Sequence, residues 1–262
     1  MELYRALGMA LPGEVVALVG AGGKTSAMYL LARELTAAGY RGVVATTTRI
    51  WLPTPEQVTE LVVADRWPEL LAGLEAALAR SPLVALGAAR GPEGKLYGID
   101  PAWVSALRRG PGIDFVLVEA DGAAGRPLKG PASHEPVIPP AATLVVPVVG
   151  ASALGRPLGP DTAHRPEIVA RLAGLSLGEP VTPGAVARLL LHPEGNVKGT
   201  PVSARIVPLI NQVDSPAVAA LARELAARLL DQGVGRVVLA RLAAEPPVVE
   251  VMAALVNTVG GT

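Results

Sequence analysis

Short runs of Val, Leu and Ile recur along the chain: EVVALV, GVVATT, LVALG, DFVLVE, TLVVPVV, RIVPLI and RVVLA. Strands that read as near-continuous apolar stretches are covered on both faces, which requires helices on each side of a mostly parallel sheet. The intervening segments supply them. Helical spacing is expected over about Thr25–Ala38, in PELLAGLEAALAR, near Ala102–Arg109 and in SPAVAALARELAARLLDQ. LVVA reads as a further strand, and a strand followed by a final helix near Val248–Val256 is expected to close the sheet. Half of the 262 residues are hydrophobic and only 3% aromatic, so the core is built from Ala, Val and Leu, as close helix-on-sheet packing needs. The fold class expected is α/β: a single P-loop NTPase-like domain over 1–262, with a mostly parallel sheet, helices on both faces and a small helical insertion.

Two regions break the rhythm. ADGAAGRPLKGPASHEPVIPPAAT, residues 120–143, is a long Pro/Gly/Ala loop directly after a strand, and loops of that length are functional or disordered. Within it Arg126, Lys129 and His134 are candidates to neutralise phosphates or an anionic partner, and His134 to shuttle a proton; a solvated loop is the alternative. Residues 157–199 carry two short helices, about Pro166–Ala173 and Pro183–Leu191, framed by Pro- and Gly-rich segments, and read as a lid or subdomain.

Composition excludes several classes. Lys+Arg and Asp+Glu are both 23, so no global field draws the chain to nucleic acid or to an acidic membrane surface. With no cysteine there is no disulfide framework, thiolate metal site or cysteine nucleophile. The first residues, MELYRALGMALPG, suggest a short amphipathic helix rather than a signal peptide, and Pro and Gly break apolar runs short of a membrane span. A cytoplasmic protein is expected.

The stretch VALVGAGGKTS, residues 16–26, runs from an apolar strand into glycines and then Lys-Thr. In a strand–loop–helix unit, glycines let backbone N–H groups converge on one point, and the helix N-terminus adds partial positive charge there. The standard phosphate loop needs glycine at position 18, where Leu18 stands. What remains, Gly20-Ala21-Gly22-Gly23-Lys24-Thr25-Ser26, is a version two residues shorter, similar to that of Mur-type ligases. A Rossmann dinucleotide loop would want glycine at Thr25 and an acid near Ala45 and Thr46, and has neither. Lys24 is expected on the terminal phosphates, and the Thr25 hydroxyl on Mg²⁺.

Such a loop needs a carboxylate at a neighbouring strand end. DFVLVEAD places Glu119 and Asp121 there, and residues i and i+2 of an extended segment point the same way. Either acid could take the metal; a solvent-facing acid pair is the alternative. Ala45-Thr46-Thr47-Thr48-Arg49 ends another strand, where Thr47 or Thr48 could position phosphate, Mg²⁺ or water, although threonine also favours strands by itself. Asn211-Gln212-Val213-Asp214 is close to the Asn-Lys-x-Asp element that reads guanine, with the Asp214 carboxylate accepting the guanine donor pair; a helix cap at Asp214 or Ser215 is the alternative.

VGAGGKTS, ATTTRI, VEADGAAGRPLKGPASHEPVIP and INQVD, in that order, resemble the YqeC-like family, accessory proteins of selenium-dependent molybdenum hydroxylases. The EADGA…LKGPASHEPVIP block is the most specific part, since general P-loop proteins do not share it. The resemblance implies a Mg²⁺-dependent protein that binds and hydrolyses GTP or ATP, with a molybdenum hydroxylase or its cofactor-maturation proteins as partners. Gln212 departs from the lysine that the family often carries, so GTP and ATP both stay open. Without cysteine, selenium could not be handled through thiols of the chain's own. Two further readings stand beside this one: a Mur-like ATP-dependent ligase or kinase acting on a small acid, and a nucleotide-dependent binding module with little turnover.

Overall fold

The computed structural model describes residues 1–254. The chain runs through α1 (Leu3–Ala6), β1 (Glu14–Gly20), α2 (Lys24–Ala37), β2 (Gly42–Thr46), β3 (Arg49–Trp51), β4 (Glu60–Val63), α3 (Trp67–Leu78) and β5 (Leu83–Gly87). There follow β6 (Ala89–Gly91), β7 (Lys95–Tyr97), α4 (Val104–Arg109), β8 (Phe115–Glu119), β9 (Leu128–Lys129), β10 (Leu144–Gly150), β11 (Ala163–His164) and α5 (Pro166–Ala173). The last elements are α6 (Pro183–Leu191), β12 (Arg205–Ile206), β13 (Leu209–Asn211), α7 (Pro216–Asp231), β14 (Arg236–Ala240) and β15 (Val248–Ala253).

The main sheet has the order β15-β14-β13-β10-β1-β8-β2-β5-β4, with β12 pairing with β10 as well, and every pairing is parallel except that of β14 with β15. The apolar runs are buried along their whole length in β1, β2, β5, β8 and β10. Alternate residues serve opposite layers, as the strand period of two requires. Val16 and Leu18 pack with α1 and α2, whereas Val15, Ala17 and Val19 pack with α3 and α4. Burying each of these Val and Leu side chains contributes about 1.5–3 kcal/mol, so the double cover holds the central strands in place.

Helices α5, α6 and α7 share a third cluster with Val149, Ile210, Val237 and Leu239. Thr182 accepts the Ala185 N–H to start α6, and Ser215 accepts the Val218 N–H to start α7. The 157–199 segment is tied to the 120–143 loop by a parallel pairing of β9 with β11.

Two features differ from the sequence expectation. Val248–Ala253 forms an antiparallel edge strand where a final helix was expected; its apolar residues are satisfied by β14, a contact that no local propensity reports. The rest of that expected helix lies outside the described residues. The second difference is a small antiparallel sheet of order β3-β7-β6, built from segments too short to stand out as strands.

Gly42 opens β2 where it passes Phe115 of β8, and a Cβ there would collide with the Phe115 carbonyl and ring. Gly42→Ala is expected to cost about 1–3 kcal/mol through overpacking. Urea unfolding of the variant checks this, and wild-type stability would contradict it.

Candidate functional site

The parallel strands β1, β2, β8, β10 and β13 end on one edge of the sheet, which is where open α/β sheets bind ligands. The glycine loop leaves β1 between β8 and β10. Gly20, Gly22 and Gly23 have φ of 87°, 83° and 129°, and a Cβ on Gly22 would strike Gly150 of β10. Only glycine lets the loop turn this tightly against the neighbouring strand.

The loop amides divide into two groups. The N–H of Gly20 donates to Asp121 Oδ2 at 3.0 Å, that of Ala21 to the Val148 carbonyl at 2.9 Å, and that of Gly22 to the Arg126 carbonyl at 3.0 Å. Those of Gly23, Lys24, Thr25 and Ser26 have no acceptor among the described residues, because α2 begins with the Ala27 N–H on the Gly23 carbonyl. Four donors and the positive end of a 14-residue helix therefore meet at one point.

Lys24 is buried and folded back, with Nζ donating to the Gly20 carbonyl at 2.6 Å and lying 3.1 Å from Asp121 Oδ1 and 3.9 Å from Glu119 Oε1. Both acids thus face the lysine, as their spacing predicts, but their surroundings differ. Glu119 Oε2 accepts the Thr25 hydroxyl at 2.8 Å. Burial pushes the Glu119 carboxyl above its ordinary range, with Lys24 and the Thr25 hydroxyl pulling the other way. Asp121 is fully buried and also lies 3.0 Å from Lys129 Nζ. Lys129 in turn reaches Glu135 at 3.0 Å, and Arg165 at the start of α5 reaches Glu135 at 2.6 Å. Burial alone would raise the Glu135 carboxyl, but Lys129, the Ala132 N–H and Arg165 outweigh it and hold it at about 2.

Asn211 is buried at the end of β13; its Nδ2 donates to the Gly22 carbonyl at 2.7 Å, and its Oδ1 accepts the Leu242 N–H at 3.0 Å. Gln212 has φ of 64° and lines the cleft beside the loop, while Asp214 is exposed, outside that lining and without a partner among the described residues. Thr47 donates to the Val137 carbonyl and Thr48 leans on Thr46, and neither lines the cleft. Of the loop cations, Arg126 lines the cleft, Lys129 is buried in its ion pairs, and His134 is exposed.

The cleft has a volume of about 710 Å³ and runs from Gln212 past Lys24, Thr25, Ser26 and Glu119 to Arg49, Trp51 and Lys95. These last three were not among the residues singled out from the sequence. The available signal was the alternation in Arg49-Ile50-Trp51 and Lys95-Leu96-Tyr97, in which Ile50 and Leu96 face the core. Among the described residues there is no cluster of three or more His, Cys, Asp and Glu able to hold a metal, and no helix is long and apolar enough to cross a membrane.

Comparison with known proteins gives two matches. The family model described as YqeC protein matches residues 16–167, a span that contains the glycine loop, both acids and the whole 120–143 loop. A protein of Escherichia coli (strain K12) described as "Uncharacterized protein YqeC" is 34% identical over 203 residues, covering 76% of this chain and 75% of the relative.

The lowered Glu135 carboxyl makes a prediction about acid stability. A group held below its unfolded value of 4.5 stabilises the fold fully above that pH, and the contribution is lost as pH falls toward about 2. Glu135→Gln should lower stability at neutral pH and flatten the pH dependence between about 4.5 and 2, as read by urea unfolding across that range. An unchanged slope would show that Lys129 and Arg165 do not hold this carboxylate.

Proposed function

The chain belongs to the YqeC protein family, and we propose that it binds a nucleoside triphosphate with Mg²⁺ in a shortened P-loop and hydrolyses it. One observation carries the reading: Lys24 and Thr25 open a helix whose first amides are free, and the Thr25 hydroxyl is bonded to the strand-end carboxylate of Glu119. Phosphate oxygens would take the N–H groups of Gly23 to Ser26, and Lys24 would turn from the Gly20 carbonyl to the terminal phosphates. A hydroxyl and a carboxylate in contact form a donor set suited to a hard cation. Thr25 and Glu119 would hold Mg²⁺, with Asp121 keeping the loop in shape instead of ligating. The bound ion would neutralise charge on the transferred phosphoryl group.

The base belongs in the Gln212 arm of the cleft. Asn211 fixes the loop there, and Asp214, exposed outside the cleft lining, would turn inward to accept from a guanine edge; GTP is the nucleotide proposed on that account, with ATP as the competitor. Thr47 or Thr48 would position water after a local rearrangement. The biological role proposed is the one that the family resemblance implies, an accessory step in maturing a selenium-dependent molybdenum hydroxylase. A group-transfer reaction on a small acid is favoured by one feature, the second arm of the cleft at Arg49, Trp51 and Lys95.

Calorimetric titration with non-hydrolysable GTP and ATP analogues tests the reading. Lys24→Ala should weaken triphosphate binding by about tenfold or more, since a charge-assisted contact is lost; unchanged affinity would overturn the phosphate assignment. Asp214→Ala should lower the preference for GTP over ATP and leave ATP affinity in place. Glu119→Gln should abolish the Mg²⁺ dependence of binding while raising the melting temperature of the free protein, because a buried carboxyl that resists ionisation is replaced by a neutral group.

A further inference from the structure

The small sheet at the cleft mouth is built as a platform. Its register places Arg49 opposite Tyr97 and Trp51 opposite Lys95, so all four side chains share one face, while Ile50 and Leu96 anchor the other face in the core. Trp51 is 64% exposed and Tyr97 38% exposed in a chain with only 3% aromatic residues. The other two tryptophans, Trp67 and Trp103, pack against each other with ring centroids 5.8 Å apart. Lys95 Nζ lies 2.9 Å from the centroid of the Trp51 ring, and neither Lys95 nor Arg49 has an acidic partner among the described residues. Trp51 and Arg49 are exposed at the mouth of the cleft, and the half-buried Lys95 has only the Trp51 ring as its partner, an arrangement that adds nothing to the packing of the core.

Arg49, Trp51 and Lys95 line the same cleft as Lys24 to Ser26, on the β2 side of the glycine loop, while Gln212 follows β13 on the other side. The two arms are therefore separated by the phosphate-binding loop. We infer that this platform is a binding site for a second ligand, a planar aromatic acid, whose ring takes the Trp51 face that the Lys95 ammonium now covers and whose carboxylate or phosphate draws that ammonium toward Arg49. An aromatic face selects a flat ring, and cations without an acidic partner select an anion. The inference rests on the proposed function only for its neighbour, the triphosphate; the stacking face and the cations stand without it.

The test uses the full chain and three probes: 2-naphthoate, the saturated decalin-2-carboxylate, and the neutral 2-naphthylmethanol. Each is titrated calorimetrically with and without a non-hydrolysable GTP analogue and Mg²⁺. Naphthoate should bind saturably; the saturated acid should bind at least about fivefold more weakly, the lower end of what aromatic stacking contributes, and the alcohol about tenfold more weakly, because it lacks the charge that Arg49 and Lys95 would meet. Trp51→Ala should weaken naphthoate by about fivefold or more, Trp51→Phe should restore most of it, and Arg49→Ala should reduce it without changing the weak binding of the alcohol. Circular dichroism confirms the fold of each variant. Triphosphate affinity should stay within about twofold in Trp51→Ala, as for a separate site.

No saturable naphthoate binding, or equal binding of the saturated acid, would overturn the proposal. An equal loss of triphosphate affinity in Trp51→Ala would overturn it too, by making Trp51 the seat of the nucleotide base. If naphthoate binds through Trp51 while no triphosphate binds the wild type, the platform stands and the nucleotide reading falls.

Discussion

The buried carboxylate of Asp121 is the constraint on which the site depends. It accepts the first amide of the glycine loop and lies between two ammonium groups, Lys24 at 3.1 Å and Lys129 at 3.0 Å. A carboxylate with no exposed surface is tolerable only with such partners, and the ammoniums are equally dependent on it. From Asp121 the ion pairs continue through Lys129 and Glu135 to Arg165 at the start of α5. The loop after β8 is therefore held by this chain of ion pairs together with Leu128, Ala120 and Ala142, which are buried in the main apolar clusters. The β9–β11 pairing then carries that order to the helical insertion.

The central sheet is legible because strands covered on both faces must be apolar throughout, and the runs in β1, β2, β5, β8 and β10 are buried from end to end. The contact of Glu119 and Asp121 with one lysine is legible for a similarly local reason, the two-residue period of extended backbone. What was not legible depends on partners distant in sequence. β3 and β7 are three-residue segments more than forty residues apart, and only their pairing makes Trp51 and Lys95 neighbours. Lys129 sits in a Gly/Pro-rich loop, where a lysine reads as solvated, yet Asp121 and Glu135 draw it fully into the interior. Ala and Met in VVEVMAAL suit a helix, but β14 offered an open edge and the segment became a strand.

Charge is distributed unevenly around the cleft although the chain is neutral overall. Glu119 stands against Lys24, Arg49, Lys95 and Arg126, so the lining favours an anion before any ligand-specific contact is made. Glu119 itself is the group that burial makes reluctant to ionise, and a divalent cation beside it would add to the pull that Lys24 exerts toward the ionised form.

Asn211 has one side-chain amide and spends both ends of it, on the Gly22 carbonyl of the glycine loop and on the Leu242 N–H after β14. The strand that carries the residues proposed to meet the base is thereby bonded to the loop proposed to hold the phosphates. Changes on the two sides cannot be treated as independent modules, because substitutions that share a hydrogen-bonding partner are not additive. A lineage that changes the residues around Asn211 would have to carry its glycine loop along with it. Diversification in such a scaffold is easier on the far side of the loop, where the β3–β7 platform shares no such bond with Asn211.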